Sequence, residues 1–537
     1  MSTESSSDSV GSLPIFQCVG LQKVEPEKLA YIFVNHDGTE ERVTCGDIFS
    51  NTNRMSRALL EAGVGKGDTF VLLMRNHPEF LYGLFAALSI GAVAVPVDPR
   101  SKGHKLAFQI HNTKARGIFL SGEFLENLTE VEKDIPGVPV LGVTYRGHHG
   151  VAVSDTYPSL DEILTAGNPD PPDGMQSLDL SAPAQVIHTS GTTGDPKGVV
   201  LKADRYMGYG MMGSFIWGYR EDDILYTGLS MTHGNAQSVT VIPALARGIP
   251  AVLSERFTKS RIWDICRRYK CTSFSLLGGM MSGIYNEPRR EDDTHNPVRV
   301  VISAGTPRAI WREFMDRFDV QIHEWYAAVE GGMAHNPPGS GPVGSFGKPP
   351  EEMVEIRIVD EEDNEVPPDA RGELISRMKS GPTEVNYFGK EKESKNKTRG
   401  GWLRSGDICH RDEDGFLYFD FRKGGGLRRQ GDFIQPDYVE KVLGEHPDVS
   451  EVCVYGIPAA SGAPGESDLV AAVVLFDERD PDVEEIRGLC MEGLEGNSIP
   501  TFLQVVREIP KTVSEKALDR VLREAFSPDA PGVFRLA

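Results

Sequence analysis

Apolar positions between residues 30 and 330 alternate between two rhythms, helical stretches and short β-rich runs. This is the pattern of a layered α/β domain whose sheets are mostly parallel. Residues 57–62 read as a helix ended by Gly63, and 70–74 as the strand that follows. Residues 80–90 read as a buried helix and 92–97 as a buried strand. Runs at 224–229, 251–253, 273–277 and 299–303 read as further strands. Val354, Ile356 and Ile358 alternate with Glu355 and Arg357, which predicts a half-buried antiparallel strand. The acidic run after Val359 then reads as a solvated hairpin turn, and 168–174 (NPDPPDG) as a loop.

Residues 80–97 hold eighteen positions without a charge, which also meets the usual length of a membrane span. Gly83, Gly91 and Pro96 interrupt it, and the buried helix–strand pair is the preferred reading. At 537 residues the chain exceeds one ordinary core, so two or more domains are expected. A net charge of −22 argues against nucleic acid as a partner. The seven cysteines are scattered with no CxxC pair, which disfavours structural zinc and disulfides and suits a reducing cytoplasm. The first ten residues, MSTESSSDSV, show no leader or transit pattern.

The most informative chemistry lies at 189–198, TSGTTGDPKG. Thr189, Ser190, Thr192 and Thr193 surround Gly191 and Gly194, and Lys197 closes the run. Glycines admit close backbone approach, while hydroxyls, amides and a lysine suit phosphate oxygens. A Walker A loop needs different spacing and a following helix. Here apolar runs flank the segment on both sides, predicting strand–loop–strand. The string resembles the signature of the adenylate-forming superfamily, which includes acyl-CoA synthetases, adenylation domains of peptide synthetases and beetle luciferases.

Further stretches resemble the same family in the expected order. HEWYAAVEGG at 323–332 resembles its aromatic-Gly-x-Thr-Glu segment. The resemblance places Trp325 and Tyr326 at the nucleotide, with Tyr326 stacked on adenine, and Glu330 as the Mg²⁺ ligand. Ala327 and Val329 replace the family's glycine and threonine, so one charge-assisted hydrogen bond, worth roughly 1.5–3 kcal/mol, is absent. Gly305, Thr306 and Pro307 resemble the turn that backs adenine. GWLRSGDI at 401–408 places Asp407 on the ribose hydroxyls. Residues 419–440 resemble the junction to the small domain, with Arg422 at the ribose and Gly431 on the pantetheine path. Gly424–Gly426 replace the usual polar hinge residue, and three glycines suit a hinge. PKTVSEK at 510–516 places Lys516 at the acyl carboxylate and α-phosphate, with Glu515 where the family has glycine and Lys511 structural. THGNAQ at 232–237 places His233 and Asn235 on an acyl tunnel; a satisfied core histidine is the competing reading. Gly278 and Gly279 either make room for the acid or are turn glycines.

The resemblance covers the chain from Thr44 to about Arg520 and is nearest in flavour to crotonobetaine/carnitine-type bacterial acyl-CoA ligases. It implies an α/β N-terminal domain of mostly parallel sheets over 1–421, a hinge at 422–426, and a small mobile α+β domain over 427–537. Lys516, Glu330 and Thr189 are the implied catalytic residues. ATP, Mg²⁺, coenzyme A and a small carboxylic acid are the implied cofactors and partners. No nucleic acid or membrane span is expected, and a homodimer is admissible. Three readings follow: an ATP-dependent acid:CoA ligase, an acyl-adenylate enzyme serving an amine or carrier thiol, and an adenylate-binding protein without catalysis. No carrier domain follows Lys516, which disfavours a peptide-synthetase module.

Overall fold

The uncharged stretch at 80–97 folds as a helix and a strand. Helix Pro78–Ile90 is buried on every side and ends at Gly91, whose φ of 70° is the left-handed stop that glycine adopts without strain. Strand Val93–Pro96 then pairs parallel with Thr69–Leu73. Among the described residues no helix is long and apolar enough to cross a membrane. The computed structural model describes residues 13–21, 24–146, 156–189, 196–381, 383–423, 427–429, 432–459, 467–476, 481–494, 496–512 and 515–537. The expected hinge glycines 424–426 lie outside them, as do Ser190, Gly191, Thr192, Thr193, Gly194 and Gly431.

The chain divides into two compact units that interleave in sequence. The first comprises residues 1–275, 296–302 and 385–396. Its six-stranded sheet runs Val140–Thr144, Ile118–Ser121, Thr69–Leu73, Val93–Pro96, Pro183–Thr189, Lys197–Lys202. All neighbours are parallel except the last pair, which is antiparallel. Near-continuous Val, Ile, Leu and Phe in these strands match a sheet covered on both faces. A second set places Leu29–Val34 and Leu225–Thr227 parallel on either side of Ala251–Ser254.

The helix expected only at 57–62 spans Cys45–Glu61. Thr44 and Asp47 form a reciprocal capping box at its start, with Asp47 N donating to Thr44 Oγ1 at 3.1 Å and Thr44 N to Asp47 Oδ2 at 2.9 Å. Its buried face carries Thr52, Asn53 and Ser56, so the apolar rhythm that marks a helix is interrupted there.

The second unit comprises residues 276–295, 303–384 and 397–537. It holds the antiparallel hairpin Gln321–Ala328/Gly331–Asn336 and a four-stranded antiparallel sheet of Val354–Val359, Gly372–Met378, Leu403–Arg411 and Leu417–Arg422. The acidic turn after Val359 is more than solvated: Asp363 receives the guanidinium groups of Arg399 and Arg404. C-terminally, Val449–Pro458, Ser467–Leu475, Phe502–Val505 and Val533–Arg535 form a mixed sheet. Helices Pro436–Leu443 and Val483–Gly493 contribute Val439, Leu443, Ile486 and Cys490 to its core. This is the expected small α+β part. All seven cysteines are buried and unbridged.

Candidate active site

In the second unit, hairpin strand Gln321–Ala328 and strand Leu403–Arg411 bring Tyr326 to Asp407. The Tyr326 phenol donates to Asp407 Oδ2 at 2.6 Å. Its ring stacks on Phe346 with centroids 4.8 Å apart and planes 29° apart. Burial, then the Asp407 charge, pushes this phenol well above the ordinary tyrosine range. Asp407 follows Gly406, whose φ is 79°, and its amide donates to Ser405 Oγ at 2.9 Å. Arg422 stands opposite Asp407 in the antiparallel ladder. An aromatic face beside an anchored acceptor carboxylate is what a purine riboside requires.

The turn at Gly305, Thr306 and Pro307 is fixed from the same hairpin by Glu324, a residue outside the sequence expectation. Its carboxyl group receives Gly305 N at 2.6 Å and Thr306 N at 3.2 Å, and its Oε2 lies 2.5 Å from the Thr306 hydroxyl. Burial pushes Glu324 up to about 8, against the pull of these donors. The available signal was the one acid of QIHEWYAA, set between His323 and Trp325, an expensive position when buried unless it is bonded.

Gly278 packs against this turn, where a Cβ would collide with the Gly305 carbonyl. At Gly279 a Cβ would stand 2.9 Å from both Lys511 Nζ and Glu515 Oε2. Lys511 pairs with Glu451 at 2.6 Å and lies 3.8 Å from Glu515, so its ammonium is held between two carboxylates. Thr512 N donates to the Lys516 carbonyl at 2.7 Å, and Lys516 N to Thr512 Oγ1 at 3.1 Å, so the Lys516 backbone is held and its side chain is exposed. Glu515 adopts φ 58°, the conformation that the family's glycine would take freely.

Glu330 is half-buried at the tip of the hairpin, and Trp325 is buried in its first strand. Among the described residues no cluster of three or more His, Cys, Asp or Glu side chains could hold a metal. A single hard carboxylate fits Mg²⁺ only if nucleotide phosphates and water supply the other ligands, the usual habit of that ion.

In the first unit, strands Pro183–Thr189 and Lys197–Lys202 stand on either side of residues 190–196, as the flanking apolar runs lead one to expect. Thr189 pairs with Lys197 in register, and Thr189 Oγ1 donates to the Lys197 carbonyl at 3.3 Å. Lys197 Nζ stands 5.2 Å over the Tyr387 ring. His233 and Asn235 precede a π-helical stretch, Ala236–Val241, a geometry frequent at functional sites. His233 Nε2 and both Asn235 amide atoms are buried without hydrogen-bond partners among the described residues. Burial holds the His233 imidazole below its ordinary range. His188, one residue before the motif, has both ring nitrogens in the same condition and is pushed down to about 4 by burial.

The AMP-binding enzyme family model matches residues 21–381, and the AMP-binding enzyme C-terminal domain model matches 438–516. A long-chain fatty acid transport protein 6 of Mus musculus is 26% identical, over 92% of this chain and 83% of its own length. A crotonobetaine/carnitine–CoA ligase of Salmonella agona is 25% identical, over 94% of this chain and 97% of its own length. The structure of an anthranilate CoA ligase in complex with anthranoyl-AMP superposes with a TM-score of 0.81 at 23% identity, covering 96% of this chain and 97% of that one. The chain belongs to the AMP-binding enzyme family, the adenylate-forming enzymes.

Proposed function

We propose that the protein is an ATP-dependent acid:CoA ligase. A substrate carboxylate oxygen attacks the α-phosphorus of ATP, the bond to pyrophosphate breaks, and acyl-AMP forms. The thiolate of coenzyme A then attacks the acyl carbonyl and AMP leaves. Positioning and charge stabilisation dominate such displacements. The observation that carries the reading is the Tyr326–Asp407 pair, an aromatic face and a diol-accepting carboxylate fixed 2.6 Å apart.

Within this reading Tyr326 backs adenine together with Gly305, Thr306 and Pro307, with Trp325 packed behind, and Asp407 and Arg422 take the ribose. Thr189, Ser190, Gly191, Thr192, Thr193, Gly194 and Lys197 hold phosphate oxygens. Lys516 meets the developing charge between carboxylate and α-phosphate. Glu330 would hold Mg²⁺, which supplies charge neutralisation at the phosphates when bound. His233 and Asn235 face the acid, Gly431 flanks the pantetheine arm, and 422–426 is the hinge on which the small domain turns. The unpartnered buried atoms of His233 and Asn235 support a polar ligand there, because such atoms are costly when left alone.

Supplying ATP with aromatic, aliphatic, betaine-like and steroidal acids, with coenzyme A or an amine as acceptor, tests the proposal. AMP and a thioester are expected for at least one acid. Amide with no thioester would replace this reading with the amide-forming one.

A further inference from the structure

Glu324 is a buried, heavily bonded carboxyl group of the second unit that the mechanism above leaves unused. It is 4% exposed, on the strand that carries Tyr326, and it accepts two amides from the Gly305–Thr306 turn and touches the Thr306 hydroxyl. Thr306 Oγ1 lies 2.5 Å from Glu324 Oε2 and 2.7 Å from Ser303 Oγ, yet a hydroxyl has one hydrogen. A protonated carboxyl group fits both contacts. Its O–H donates to Thr306 Oγ1, which donates to Ser303 Oγ, while the other carboxyl oxygen takes the Gly305 amide.

We propose that Glu324 is a positioning residue for nucleotide binding, acting as a neutral acid that fixes the Gly305–Thr306 turn in its adenine-backing shape. The inference rests on the ATP reading above. The turn needs such a brace. Gly305 sits at φ 79°, and its carbonyl packs directly on Gly278, so a small shift of the peptide would close the adenine face or strike the helix beginning at Gly278. Burial and the absence of a cation among the groups bonded to Glu324 keep its proton on at neutral pH, in line with its rise to about 8.

Tyr326 and, beyond it, Asp407 lie on the same hairpin face as Glu324 by strand alternation. Cross-strand Asn336 spends its amide on the Pro342 and Ser345 carbonyls. His323 and His335 stack on the opposite face. Arg308, next along the turn, is largely exposed and 3.7 Å from Glu445.

The test is calorimetric binding of ATP to the full chain and to E324Q, E324A and T306V between pH 6 and 9, with the KM for the acid measured alongside. A glutamine amide can donate to Thr306 and accept from Gly305 as a neutral acid does. E324Q is therefore expected to bind ATP within about twofold of the parent at pH 7, with no alkaline limb. The parent should weaken about tenfold between pH 7 and 9, when its proton is lost. E324A and T306V should weaken ATP binding at least fivefold with the KM for the acid unchanged. Equal losses in E324Q and E324A, unchanged ATP binding in E324A, or the same alkaline limb in E324Q would overturn the inference. Should E324A fail to fold, E324Q and T306V decide. No ATP binding by the parent at any pH would instead sink the nucleotide reading on which this rests.

Discussion

The hydroxyl of Tyr326 and the carboxylate of Asp407 are 81 positions apart in sequence and 2.6 Å apart in space. Two different strands meet to make that contact, and both strands come from motifs with little meaning alone. On the proposed reading, the ribose hydroxyls would compete with the phenol for Asp407. D407N keeps the shape but loses the charge. Its KM for ATP is expected to rise about tenfold to a hundredfold, the worth of a charge-assisted hydrogen bond. The KM for the acid should stay within about twofold. Y326F should change ATP binding far less, because the ring face persists; steady-state kinetics on both variants checks the ordering.

Lys516 is expected to serve the first half-reaction only. K516A should lose at least about a hundredfold in carboxylate-dependent pyrophosphate–ATP exchange, while thioester formation from preformed acyl-AMP largely survives. Full exchange in K516A would remove the lysine from the mechanism.

Gly278 distinguishes packing from substrate room. An added methyl at 278 meets the Gly305 backbone, which cannot step aside cheaply, whereas at 279 it meets the flexible ends of Lys511 and Glu515. G278A should therefore abolish or strongly weaken ATP binding, and G279A should not. A G278A protein that binds ATP normally but accepts a narrower range of acids would restore the room-making role.

Glu515 tests the cost of a departure from the family pattern. Its left-handed backbone costs roughly 1–2 kcal/mol for a non-glycine residue. Its 3.8 Å contact with Lys511 is worth at most about 1 kcal/mol. E515G should thus be as stable as the parent, or more so by up to about 1 kcal/mol, in urea denaturation. A clear loss of stability would mean the carboxylate anchors the loop more strongly than an ion pair of that length can.

Glu440 gives a pH dependence of known sign. It is half-buried, accepts Val454 N at 2.7 Å, and desolvation pushes it from 4.5 up to about 8. The folded state therefore holds this proton more tightly than the unfolded one. Its contribution is complete below about pH 4.5 and is lost as pH rises to about 8. Stability should fall by up to about 1.4 kcal/mol per pH unit from this group. E440Q keeps the acceptor and removes the titration, so its stability should fall less steeply than the parent's between pH 6 and 8. Identical slopes would show that Glu440 is not the group responsible.

Much of this architecture was legible because short-range chemistry announces itself. The buried helix and strand at 80–97, the strands around 189–197, and the alternation at 354–358 all follow from periodicity and glycine placement. Family strings located Tyr326 and Asp407 without saying that they touch. What stayed hidden depends on burial at long range. Helix Cys45–Glu61 buries Thr52, Asn53 and Ser56 where a sequence pattern expects apolar residues. Glu324 is legible only as the one acid of QIHEWYAA until the Gly305 turn arrives beside it. What faces Gly278, the Gly305 carbonyl, cannot be read from its neighbours in sequence.

The most direct measurement is pyrophosphate–ATP exchange by the full chain, with coenzyme A omitted and an acid panel supplied. The account predicts exchange that depends on at least one carboxylic acid and falls in D407N. Nucleotide binding without exchange for any acid, or ATP consumption that yields ADP, would contradict it.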